Sequence, residues 1–75
     1  MPMQIDFPLG TTVRTRHPAQ QTIQEGIVVG YWWEKNAGLY VRFAGNPTVY
    51  SFSSRYVHDR QCMTLIRKGA GVKPN

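Results

Sequence analysis

His17, His58, Asp59 and Cys62 are the side chains with the chemistry of metal ligands or nucleophiles. His58 and Cys62 stand four apart, a spacing that would suit a helix. The local pattern there is a polar link and then a strand, and the sequence offers no two further ligands at matching spacing. No metal is expected. Cys62 as a nucleophile would need a base beside it. Alone in a closing strand it reads as a small buried hydrophobe, and as a single cysteine it makes no internal disulfide. His17, directly before Pro18, reads as a loop histidine. The acids Asp6, Glu25, Glu34 and Asp59 are widely spaced, so none forms a general acid–base pair. Asp59 beside Arg60 is a surface charge pair of small weight. No glycine-rich loop follows a strand and opens a helix, which excludes nucleotide sites of the P-loop and Rossmann types.

What remains is an interleaving of aromatic and basic residues. Tyr40 and Arg42 share one strand face, opposite Leu39, Val41 and Phe43. Tyr50 and Phe52 share a face of the next strand, and a meander brings the two sets together. Trp32 and Trp33 are adjacent, so one fills the core and the other faces outward. Aromatic rings can stack on bases while a guanidinium meets phosphate. The expected nucleic-acid platform is therefore Tyr40, Arg42, Tyr50 and Phe52, with Arg14, Arg16, Arg55 and the C-terminal tail as phosphate contacts. The competing use of the same residues, with Trp32 or Trp33 outward, is a protein-partner or homo-oligomer interface.

The elements that must carry these side chains are strands. Period-two alternation dominates, cut into short runs by Gly and Pro. Met3–Phe7 reads as an edge strand or extended arm. Residues 11–16 read as a strand with Val13 inward. Residues 22–35 are the longest strand, with Ile27, Val29, Tyr31 and Trp33 on one face and Val28, Gly30 and Trp32 on the other. Glu34–Gly38 is a hairpin loop whose glycine sits where positive φ is cheap. Residues 39–44 and 48–52 flank the turn Gly45-Asn46-Pro47. Ser53–Val57 reads as one 3₁₀ turn opened by serine capping, and 61–66 as the closing strand. Small sheets of this kind hide their edges by curling. The expected fold is all-β: a single SH3-like barrel of about five short antiparallel strands over residues 1–66, with a 3₁₀ turn before the last strand and a flexible basic tail at 67–75.

Two resemblances attach to specific residues. Gly26-Ile27-Val28-Val29-Gly30, then Leu39-Tyr40-Val41-Arg42-Phe43, then Tyr50 and Val57, are similar to the cadence of Tudor-like and KOW-like small barrels. The stretch from Phe7 to about Val57 also resembles the plasmid-borne type II dihydrofolate reductases, short SH3-like barrels that act as homotetramers. The matching pieces are Phe7, Gly10, Val13-Arg14, Gly26–Trp32, Gly38 with Val41, and Asn46-Pro47 leading into Thr48-Val49. That resemblance implies a shared pore lined by Val49, Tyr50, Ser51 and Phe52, with NADPH as cofactor. At those positions the family carries Val-Gln-Ile-Tyr, so only the valine is kept unchanged. The family's pore lysine falls at Thr15, and its interface tryptophan near Gln24. Most groups that would hold cofactor and folate are thus replaced. The resemblance implies a bacterial, phage or mobile-element setting.

Composition narrows the classes further. The chain has 75 residues and a hydrophobic fraction of 41%, enough for one compact core. Nine basic residues against four acidic ones give a net charge of +5, which favours an anionic partner. Arg67, Lys68 and Lys73 place three of those nine in the tail, so the body is nearly balanced. No apolar run reaches the roughly 18 residues of a membrane span, and the N-terminus lacks a signal-peptide pattern. The expectation is a soluble, cytoplasmic binding or assembly module without catalysis. Its partner is nucleic acid, with a reductase-like homo-oligomer and a protein-binding barrel as alternatives.

Overall fold

The computed structural model describes residues 3–72. The elements are α1 (Met3–Asp6), β1 (Thr12–Arg16), β2 (Ile23–Trp32), β3 (Gly38–Phe43), β4 (Val49–Ser53), α2 (Ser54–Val57) and β5 (Met63–Arg67). The strands form one antiparallel sheet in the order β4-β3-β2-β1-β5. The all-β class and the five short strands match the sequence pattern.

Alternation decides the inner face. Leu39, Val41 and Phe43 of β3 point inward with Val13, Val28, Phe52, Val57 and Met63, and all are buried. β1 and the residues flanking it contribute more than the one aliphatic Val13, because Thr15 within the strand and Thr11 and His17 beside it are buried as well. Buried hydroxyls need partners, and these have them. Thr15 Oγ1 donates to the Cys62 carbonyl at 2.7 Å and lies 3.1 Å from the Tyr56 hydroxyl. Thr11 Oγ1 accepts from the Gly69 N–H at 2.9 Å.

One bulge alters the expected facing of β2. Val28 pairs with Val41, but Gly30 pairs with Tyr40, leaving Val29 unopposed. An extra residue flips every later side chain to the other face. Tyr31 therefore turns inward, opposite Leu39, and its hydroxyl donates to the Phe7 carbonyl. Gly30 and Trp32 turn outward, against the parity read from the sequence.

The sheet is not closed into the expected barrel. β4 and β5 are its two edges, with no ladder between them. Side chains of α2 fill the space instead. Val57 is buried in the core, and Tyr56 reaches from Phe52 of β4 (5.3 Å between ring centroids) to Thr15 of β1. The expected 3₁₀ turn is a single α-turn: the His58 N–H donates to the Ser54 carbonyl at 3.0 Å. Serine capping is also absent there. The Ser54 N–H donates instead to the Ala37 carbonyl at 2.9 Å, and Ser53 makes no side-chain cap.

Both ends depart from the sequence pattern. Met3–Asp6 is one helical turn rather than a strand or arm, and no strand pairs with it; Ile5 is exposed, and the buried Phe7 follows the turn. Arg67 belongs to β5, one residue beyond the expected boundary at 66. The Gly69 and Gly71 N–H groups then tie the chain back to Thr11 and Leu9. The remainder of the expected tail, 73–75, lies outside the described residues.

Candidate functional site

The outer face of β1–β4 gathers most of the chemistry the sequence singled out. On β2 and β3 two aromatic residues face two glycines across the ladder: Trp32 opposite Gly38, and Tyr40 opposite Gly30. A glycine leaves room for a cross-strand ring to lie down over the partner backbone. A Cβ built at Gly38 would overlap the Trp32 ring edge, and one at Gly30 would come within 3.3 Å of Tyr40 Cδ2. The two ring centroids are 5.1 Å apart with planes tilted by 49°. Both rings are half-buried, so each is held from below while its upper side meets solvent.

Of the basic side chains on this face, Arg42 is next to the pair, whereas Arg14 and Arg16 lie toward the other end of β2, opposite Glu25 and Ile23. Arg42 follows Tyr40 on the same face, between Ile27 on β2 and Val49 on β4. No carboxylate lies within ion-pair distance of it among the described residues. Arg14 pairs with Glu25 at 3.2 Å, both exposed, a contact of little net energy. Arg16 is held by the Gln21 carbonyl at 2.7 Å. Two hollows open on this face. One of about 600 Å³ is lined by Trp32, Trp33, Glu34, Tyr40 and Ser51. The other, of about 470 Å³, runs past Thr12, Ile27, Arg42 and the Gly45-Asn46-Pro47 turn.

The expected platform is divided. Tyr40 and Arg42 are on the outer face, but Tyr50 and Phe52 are on the inner one, opposite Val41 and Leu39. The turn between β3 and β4 sets this register. The Asn46 N–H donates to the Phe43 carbonyl, and Asn46 Oδ1 takes the Thr48 N–H. Phe52 is buried, and Tyr50 leans its ring on Phe43 and His17. Of the four pore candidates, Val49 and Ser51 face outward while Tyr50 and Phe52 do not. Arg55 is exposed on α2, away from the outer face. Trp33 follows the end of β2, 62% exposed, its ring 5.9 Å from Tyr31, so neither tryptophan fills the core as the sequence pattern led us to expect of one of them.

The groups with ligand or nucleophile chemistry are dispersed. Among the described residues no three His, Cys, Asp or Glu side chains come together. Burial raises the Cys62 thiol above its ordinary pKa, and the charge and hydrogen bond of Asp59 raise it further, so the thiolate is disfavoured. Burial likewise raises the Tyr31 phenol. His17 is a core residue and not the loop histidine its neighbour Pro18 suggested. Its ring stacks within 4.5 Å of Phe43, and Nδ1 accepts the N–H groups of Ala19 and Gln20. The proton then sits on Nε2, which has no partner. Gly30 and Gly38 are what sequence reasoning passed over; the available signal was a glycine two positions from an aromatic on each of two paired strands.

No family model, curated protein or solved structure matches this chain. Among the described residues no helix is long and apolar enough to cross a membrane.

Proposed function

We propose that the protein is a non-catalytic binding module that takes single-stranded nucleic acid on the outer face of its sheet. Trp32 and Tyr40 supply the stacking surface, and Arg42, Arg16 and Arg14 meet the phosphates. One observation carries this reading: each ring is seated on a glycine of the opposite strand, with Arg42 next along the same face. Rings fixed in this way lose little freedom when a base stacks on them. Stacking is tolerant of sequence and contributes about 1–3 kcal/mol per base, so recognition here is of strand and charge rather than of base order.

Fluorescence anisotropy with a short labelled oligothymidylate tests it. Micromolar binding that weakens as salt rises is expected. Absence of binding at low salt overturns it.

A second reading rests on the open edge. β4 is an edge strand, and Val49 on it is 46% exposed. A second copy added there would give a homo-oligomer with Val49 and Ser51 at the junction, as the reductase resemblance implies. Light scattering and an assay of NADPH oxidation with dihydrofolate test that reading; a strict monomer removes it.

A further inference from the structure

We propose a second ligand site, on the opposite side of the molecule from the aromatic pair, that takes a small amphipathic organic anion. Where β5 ends the sheet, a hollow of about 670 Å³ opens between the N-terminal turn, the end of α2 and β5. That size suits a small organic ligand. Phe7, Val57 and Met63, all buried core residues, form its floor, and Leu65, 40% exposed, adds an apolar wall.

The rim has the opposite character. Arg60 and Lys68 line it, both exposed, and neither has a carboxylate within ion-pair distance among the described residues. The acid on the rim, Asp6, faces His58 Nε2 at 3.6 Å. An apolar floor below two unpaired cations complements a ligand with a hydrocarbon body and one anionic head. The body displaces water from Leu65 and Met63, and the head takes charge-assisted hydrogen bonds from Arg60 and Lys68. Thr64, which also lines the hollow, lies opposite Arg14 on the ladder, but the floor and the two cations are separate from Trp32, Tyr40 and Arg42, so this site stands or falls independently of the nucleic-acid reading.

Amide and side-chain NMR of the labelled chain, titrated with octanoate below its micellar concentration, tests the proposal. Saturable shifts at His58, Arg60, Leu65 and Lys68 are expected, with Trp32 and Tyr40 unmoved. Octanol, with the same body and no charge, should bind about tenfold or more weakly. The double variant Arg60→Gln with Lys68→Gln should lose that preference while keeping the native spectrum elsewhere, since both side chains are exposed. Equal binding of octanoate and octanol overturns the proposal, as do shifts spread over the outer face. Sedimentation with phosphatidylglycerol vesicles without any octanoate shift assigns a membrane surface instead, and overturns it too.

Discussion

Gly26 and Gly38 do the same thing on opposite faces of one ladder. Gly26 sits opposite Phe43, and a Cβ there would come within 3.2 Å of that ring and 2.5 Å of Val41 Cγ1. Gly38 sits opposite Trp32 and would overlap its ring. Phe43 ends up 1% exposed, whereas Trp32 stays open to solvent on its upper side. The bulge at Val29 separates the two outcomes, because it turns the even positions of β2 from the inner face to the outer. One arrangement, an aromatic laid over a glycine, thus builds the core at one end and presents a ring at the other. The difference teaches that the outer pair is left open to solvent, with the core already filled without it.

Substitutions should break this comparison in order of burial. Phe43→Ala empties the centre of the inner face and should cost about 3–5 kcal/mol, read by urea denaturation. Gly38→Ala meets the Trp32 ring and the Phe52 backbone, so it should cost about 1–3 kcal/mol as overpacking does. It should also lift Trp32 from its seat, weakening oligonucleotide binding beyond what the stability loss explains. A Gly38→Ala protein that binds normally would break the link between seat and site.

Trp32→Ala sharpens the contrast from the other side. It should leave the urea midpoint closer to the parent than Phe43→Ala does, yet lower oligonucleotide affinity by about 5- to 150-fold, one base stack's worth. Tyr31→Phe removes the hydroxyl that donates to the Phe7 carbonyl, and should cost about 0.5–1.5 kcal/mol with binding unchanged.

The smallest effect concerns Cys62. Its pKa is raised in the folded state by burial and by Asp59. In the pH range between the ordinary and the raised value the folded chain therefore holds a proton the unfolded chain has lost. The contribution to stability is present below that range and declines as pH rises through it. Alkylation by iodoacetamide should be slow at neutral pH and show an inflection above that of a free thiol. An inflection at or below the ordinary value would contradict the placement of Asp59.

The strands and the β2-β3-β4 meander were legible because alternation in residues 39–43 is clean and turn residues bound each run; the pairing of β5 with β1 was not. Closure was not legible. Whether two edges pair depends on what lies between them, and Tyr56 and Val57 fill that space with side chains rather than backbone hydrogen bonds. His17 was misplaced for a similar reason: Pro18 marks a turn, but the turn folds its own Ala19 and Gln20 N–H groups onto the ring and lets it enter the core. At the candidate site, Tyr40, Arg14, Arg16 and Arg42 were legible by type and strand face, and Trp32 by type alone, since the bulge reversed its facing. Tyr50 and Phe52 were not, since facing across β3 and β4 is set by the turn register. The bulge at Val29 was signalled by Gly30 beside it, a strand residue without a side chain that suggests a bend or bulge, but its effect on the facing of Trp32 was not.

The central claim is that the outer face, around the glycine-seated rings, is where the ligand lands. Chemical-shift mapping of the labelled protein with short oligothymidylate at low salt tests it most directly. The Trp32 indole N–H and the amides of Gly30, Gly38, Tyr40 and Arg42 should move together and saturate, with Phe43, Phe52 and Arg55 unmoved. A spectrum that stays still at low salt, or shifts confined to Arg55 and the chain after β5, would contradict it.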